Sequence, residues 1–174
     1  MPSKNTYREI YMFNELQLRL EIVRPTMVAL QLYSLEDEEL LIGTCAHESK
    51  GGTYIKQTNG IALGAWGMEP KTHDDIWKNW LPNQGPLCSR LINHCRVGVI
   101  EPPQAKYMSY HLYYACAMAR LHYKRKNIPT PKDLEGQAAF WKEHYNTSAG
   151  KGTVEEYIQN YHAFVGVKKK AKGA

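Results

Sequence analysis

The sequence lacks several features that would set its class at once. It has no run of eighteen or more apolar residues, which excludes a membrane-spanning helix. The opening residues, MPSKNTYREIYMFNEL, hold no apolar core and no small-residue cleavage site, so no cleavable secretory signal is expected. No C-x-x-C pair occurs among the four cysteines, Cys45, Cys88, Cys95 and Cys116, and no metal site is expected from them. A disulfide framework is not expected either, because a chain of 174 residues can bury a core without one. Cys88 and Cys95 fall on one helix face about 10 Å apart along the axis, too far to bridge. His94 beside Cys95 points elsewhere on that helix, so buried thiols are the reading here. No internal repeat and no low-complexity linker divides the chain.

What is present is ordinary for a globular domain. Hydrophobic residues make up 43% and charged residues 22%, which fits neither a disordered tail nor a fibre. The net charge of +5 suits an anionic partner such as nucleic acid, cell wall or lipopolysaccharide, without choosing among them.

Helix signals dominate. Apolar positions from Tyr7 to Val23 predict an opening helix, and Pro25 restarts the chain at the first position of a short one ending near Leu32. Ser34 caps the next helix, with Asp37 at its third position and acidic Glu36 to Glu39 in its first turn. Gly51 and Gly52 stop it. The segment TYIKQ-TNG-IALGAW reads as a hairpin turning at Asn59-Gly60. A helix around THDDIWKNWL ends at Pro82, another spans Leu87 to Arg96, and a long one runs from Gln104 to Lys126. The small residues in YYACAMA make that long helix the expected centre of the core. Thr130-Pro131 begins a helix ending near Tyr145. Thr153 and Glu156 form a capping box for the last, which stops at Gly166. The expected architecture is α+β, mainly helical with one small hairpin sheet. Residues 1–33 form a helical segment packed on the domain, 34–166 the domain itself, and 167–174 a basic flexible tail.

Leu41, Cys45 and Glu48 recur at helical spacing, so Glu48 lies on the apolar face at a helix C-terminus. A partly exposed carboxylate at a fraying end is one explanation. A general acid is the other, because burial and the negative end of the helix dipole both favour the protonated form.

The segments AHESKGG, ALGAWGMEPKTH and HYNTSAGKGTVEEY resemble the lytic transglycosylase and goose-type lysozyme families, and most of all the small transglycosylase-type lysins of bacteriophages. In those families a Glu-Ser pair ends a helix, matched by Glu48-Ser49. A motif of the type Gly-Leu-Met-Gln-Ile-Met-Pro-x-Thr is matched by Gly64-Ala-Trp-Gly-Met-Glu-Pro70-Lys-Thr72, and Ala-Tyr-Asn-x-Gly by His144-Tyr145-Asn146-Thr147. The likeness covers roughly Ser34 to Tyr161. It departs at Gly67, which stands where the family has Gln, and after Asn146, where the glycines are delayed to Gly150 and Gly152. The resemblance implies a lysozyme-like catalytic domain in which Glu48 is the catalytic acid and Tyr145 orients its carboxyl. It also implies that Ser49, Gly64, Ala65, Trp66, Gly67, Met68 and Asn146 form the glycan site. Gln57 joins them from the hairpin, with Tyr54 and Asn59 beside it, while Trp77 and Trp80 read as core.

The implied substrate is the peptidoglycan glycan strand, cut at the β-1,4 bond between N-acetylmuramic acid and N-acetylglucosamine. No cofactor and no metal is implied, and a monomer is expected. Ser49 to Met68 contain no Asp or Glu, so no second carboxylate is evident and a 1,6-anhydro product is expected. Hydrolysis by a muramidase would need Glu69, Asp74 or Asp75; Glu69 reads more simply as a helix cap. Made without a signal, the protein would reach periplasmic peptidoglycan as an endolysin or be carried in the virion. The Lys-rich tail could attract it to an anionic outer membrane. A nucleic-acid-binding protein fits the basic runs but lacks any recognition motif. A non-catalytic virion structural protein of lysozyme-like fold is the other alternative.

Overall fold

The computed structural model describes residues 12–98, 100–146 and 150–166. The mainly helical expectation holds. Helix α1 runs through three consecutive stretches, Glu15–Gln17, a wider-wound Leu18–Val23 and Arg24–Ala29. Pro25 therefore sits inside a continuing helix rather than restarting one. The missing N–H of Pro25 coincides with the widened turn before it, where regular backbone pairing is already relaxed. The part of the opening helix expected before Met12, and the tail 167–174, lie outside the described residues.

Helix α2, Leu35–Ser49, starts as its sequence dictates, with the Asp37 N–H donating to Ser34 Oγ at 3.1 Å. The Asp37 carboxylate reaches further than a cap. It accepts from Arg120 at 2.6 Å and from Thr130 at 2.6 Å, tying the start of α2 to later elements. Helix α3 begins at Pro70–Asp75, continues through Ile76–Trp80 and ends in the tight turn Leu81–Asn83. Helix α4 is Gly85–Cys95 and α5 is Leu112–Lys124. Helix α6 is Leu134–Trp141 with a wider-wound extension Lys142–Asn146, and α7 is Val154–Val165. The Thr153–Glu156 capping box of α7 is complete in both directions.

Two further expectations are corrected. The long helix from Gln104 is broken into a short turn, Ala105–Ser109, and α5. His111 enforces the break, its ring accepting from the Tyr114 N–H at 3.3 Å and meeting the Cys95 carbonyl at 2.9 Å. The hairpin sheet does not form. Asn59 does turn the chain, with φ of 58°, but pairing stops at two single bridges, Lys56 with Leu63 and Leu63 with Met68. The reason lies in Gly64 and Gly67, both in the left-handed region, which fold the chain back just after Leu63. Each pairing is thereby limited to one residue, and the exposed stretch from Thr53 to Asn59 has no second layer to cover it.

The core forms around α5 as expected: Ala115, Cys116, Ala117, Met118 and Ala119 are all buried. Cys45, Cys95 and Cys116 are buried thiols, whereas Cys88 is half-buried. Leu18, Val23, Met27 and Leu30 carry α1 into the same core. Above them, Glu38 is fully buried between two guanidiniums, accepting from Arg19 at 2.9 Å and from Arg24 at 2.8 and 2.9 Å. Removing the Glu38 charge weakens the acceptor shared by both guanidiniums, although Arg19 keeps Glu15 and Glu39 and the Arg24 side chain is 42% exposed. Glu38→Gln is therefore expected to cost about 2 kcal/mol in denaturant unfolding, the scale of weakened charge-assisted hydrogen bonds. Hydrogen exchange should quicken first in α1; unchanged stability would show the cluster to be incidental.

Candidate functional site

Helix α2 delivers Glu48 to a cleft at its C-terminal end. Lys50 closes the helix in the left-handed conformation, and the Gly51 N–H returns to the Cys45 carbonyl at 3.1 Å. Ser49 fastens this end to the segment that follows. Its hydroxyl donates to the Ala65 carbonyl at 2.6 Å and accepts from the Gly52 N–H at 2.8 Å.

The cleft has a volume of about 300 Å³. Of the residues expected from sequence, Glu48, Gln57, Gly64, Gly67, Met68, Tyr145 and Asn146 line it. Ser49, Ala65 and Trp66 do not; each is buried, with only 1% of its surface exposed. Trp66 cannot offer a face to a sugar ring. Its indole N–H donates to the Leu41 carbonyl at 2.9 Å, as a buried Trp requires, and makes it part of the core. Ser49 and Ala65 build the wall rather than touch what enters. Trp77 is core as expected and Trp80 is half-buried against it.

Tyr145 is also displaced from its expected role. Its hydroxyl donates to the Trp66 carbonyl at 2.7 Å and makes no bond to the Glu48 carboxyl. The group that holds the carboxyl is Trp141, whose indole N–H donates to Glu48 Oε1 at 2.8 Å. Sequence reading missed Trp141, although it lies one helical turn before Tyr145 and so shares its face. Asn146 bonds through its amide to the Gly152 carbonyl at 3.2 Å; Thr147 in that motif lies outside the described residues.

Gly67 has a local explanation. It adopts φ of 58°, and a Cβ placed there would lie 3.0 Å from Glu48 Cβ and 3.1 Å from its Oε2. A glutamine there would press on the Glu48 carboxyl and strain a left-handed backbone. The remaining wall comes from Tyr54 and Ala62 on the loop, Glu69 and Thr72 at the start of α3, and His122 on α5. Glu69 precedes Pro70 without forming a side-chain cap bond and is among the residues lining the cleft. Asp74 pairs with His73 at 2.8 Å and Asp75 with Arg125 at 2.5 Å, and neither lines the cleft. No group of three or more His, Cys, Asp or Glu side chains among the described residues is placed to hold a metal ion.

Burial pushes the Glu48 carboxyl from 4.5 up to about 7, and the Trp141 bond opposes only part of that shift. The site is thus built around an acid half-protonated at neutrality. No protein-family model, curated protein or solved structure matches this chain. The chemistry of the cleft must be argued from its own residues.

Two outcomes follow from that proton. The folded protein keeps it up to about pH 7, whereas the unfolded chain releases it near 4.5, so the folded state binds more protons across that window. Stability relative to Glu48→Gln should then fall as pH rises from 4.5 to 7, by about 3 kcal/mol in total. Parallel denaturation of the two proteins across this range measures it; parallel curves would mean an ordinary carboxylate. Trp141→Phe, which removes a bond that favours the charged form, should raise the Glu48 midpoint further in an NMR titration.

Proposed function

We propose that the chain is a lytic transglycosylase of lysozyme-like fold acting on peptidoglycan glycan strands. The observation that carries this reading is Glu48, a carboxyl lining a cleft, with its proton retained to about pH 7 and its orientation fixed by Trp141. The motifs around Glu48, Gly64 to Thr72 and Tyr145-Asn146 supply the substrate class by resemblance. All three motif segments contribute to the cleft wall.

In this mechanism Glu48 gives its proton to the glycosidic oxygen between N-acetylmuramic acid and N-acetylglucosamine, and the C1–O bond breaks. The muramic acid N-acetyl oxygen supports the positive charge that develops at C1. The carboxylate of Glu48 then takes the proton of the C6 hydroxyl as that oxygen bonds to C1. The product carries a 1,6-anhydro ring, and Glu48 is protonated again. No cofactor takes part, and the protein works as a monomer on periplasmic peptidoglycan, as an endolysin or from within a virion. No helix among the described residues is long and apolar enough to cross a membrane.

Glu69 favours a second reading, hydrolysis by a muramidase. It is the only other carboxylate lining the cleft among the described residues, and it makes no cap bond. An inverting or retaining hydrolase needs such a partner across the sugar from the acid.

Glu48→Gln should fold and lose about 10² to 10⁴ in rate, because the amide cannot deliver a proton. Clearing of permeabilised Gram-negative cells at the unaltered rate would remove the reading. Mass spectrometry of digested murein separates the two chemistries. A main product lighter by one water than the hydrolytic fragment supports transglycosylation. Reducing-end muramic acid, abolished by Glu69→Gln, supports hydrolysis.

A further inference from the structure

A second cavity, of about 240 Å³, lies across α5 from the cleft, and neither the resemblance nor the proposed mechanism uses it. Arg120 and Lys124, one helical turn apart on α5, line it with Asp37 from the start of α2 and the loop from Asn127 to Thr130. His122, two residues from each, lines the Glu48 cleft instead, and no residue lines both spaces. The cavity has room for a small molecule but not for a sugar chain.

Its acceptors are occupied and its donors are not. The Asp37 carboxylate accepts from Thr130 at 2.6 Å, from Arg120 Nη2 at 2.6 Å and from Ser34 Oγ at 2.8 Å. At the end of α5, the carbonyls of Leu121, Tyr123 and Lys124 accept from the N–H groups of Arg125, Lys126 and Asn127, each at 3.0 Å. The Arg120 side chain is only 9% exposed. Its Nε reaches the Leu32 carbonyl at 3.4 Å and its Nη2 reaches Asp37, but Nη1 bonds to nothing among the described residues. Nη1 is not sealed in either, because His122 Nδ1 is the one buried side-chain atom there without a partner. What remains exposed of the guanidinium therefore opens on the cavity that Arg120 lines. Burial lowers the affinity of that guanidinium for its proton, and the opposing pull of Asp37 does not make up the loss. Lys124, exposed at the rim, makes no hydrogen bond or ion pair among the described residues.

We propose that this cavity binds a small organic monocarboxylate, with one oxygen on Arg120 Nη1 and the other on the Lys124 ammonium. Two cations against the Asp37 carboxylate leave a single positive charge, which a monoanion balances and a phosphate dianion overshoots. One open guanidinium nitrogen and one ammonium also match the two oxygens of a carboxylate. Ile128, 50% exposed, and Pro129 give the cavity an apolar rim that a mineral anion would leave in water. A ligand with a short branched hydrocarbon end covers that rim. The site shares no residue with the Glu48 cleft, so it stands or falls apart from the glycan reading.

The test titrates isobutyrate into the full chain and follows proton–nitrogen NMR signals. The Arg120 Nε–H and the amides of Asn127, Ile128 and Thr130 should move and saturate together, while signals around Glu48 stay in place. Isobutyramide, of the same shape without the charge, should give no saturation. Acetate, which lacks the branched end, should bind about threefold more weakly. Lys124→Gln should weaken isobutyrate about threefold, as expected for an exposed ion pair. Ile128→Asp, which sets a carboxylate at the rim, should abolish saturation. Both positions are exposed, so neither change threatens the fold. Absence of saturation with isobutyrate overturns the proposal, and so does equal binding of isobutyramide. If inorganic phosphate or chloride saturates the same signals as readily as isobutyrate, the cavity attracts anions of any kind and the carboxylate assignment falls. Murein cleavage is measured separately, and neither result decides the other.

Discussion

Two glutamates on one helix are withdrawn from water, Glu38 fully and Glu48 in part, and the difference between their partners organises the molecule. Glu38 lies between Arg19 and Arg24, whose hydrogen bonds and charge outweigh its burial and hold it below the usual carboxylate value. Glu48, at the other end of α2, receives one neutral donor, the Trp141 indole, and burial wins. Withdrawing a charge from water costs more than one neutral hydrogen bond returns, so the carboxyl keeps its proton. The ion cluster fixes α1 to α2; the uncharged end of α2 is then free to face a cleft with an acid in it.

Much of this was legible in the sequence because it follows from local rules. The Ser34 cap, the stop after Ser49 and the Thr153 capping box depend on residues within a turn of one another. The small-residue run in α5 identified the core centre for the same reason. What stayed hidden lies outside those capping and spacing rules. His111 breaks the expected long helix by bonding to Cys95, and the hairpin fails because Gly64 and Gly67 redirect the chain. A residue-by-residue pattern of alternation cannot register either event.

The site shows the same division. The motif residues gather at one cleft, but several of them hold up its wall instead of forming its surface. Ser49 holds the Ala65 carbonyl, Tyr145 holds that of Trp66, and Trp66 reaches back to Leu41. These bonds fasten consecutive carbonyls of one tight turn to α2 and α6. The turn ends in Gly67, whose missing side chain leaves the space occupied by the Glu48 carboxyl. A displacement of that turn would alter the burial of Glu48 and therefore its proton affinity. Tyr145 thus acts on the carboxyl through the backbone it positions, a role that motif matching cannot distinguish from direct contact.

That arrangement also bears on how the acid can serve twice. A carboxyl that gives up its proton must hold the resulting charge until a second proton arrives, and burial works against that charge. Trp141 lessens the penalty, since its N–H bonds more strongly to a carboxylate than to a carboxylic acid. With the protonated form favoured by burial and the charged form retained by one directed donor, the two states of Glu48 are balanced near neutrality. Acid and base roles for one side chain then need no second titrating group at the same oxygen. His122, pushed down to about 3, cannot supply one, and Glu69 stands at the helix start on the segment beyond Gly67. In the proposed transglycosylase reading, proton transfer then falls to Glu48 alone, whereas the muramidase reading would add Glu69.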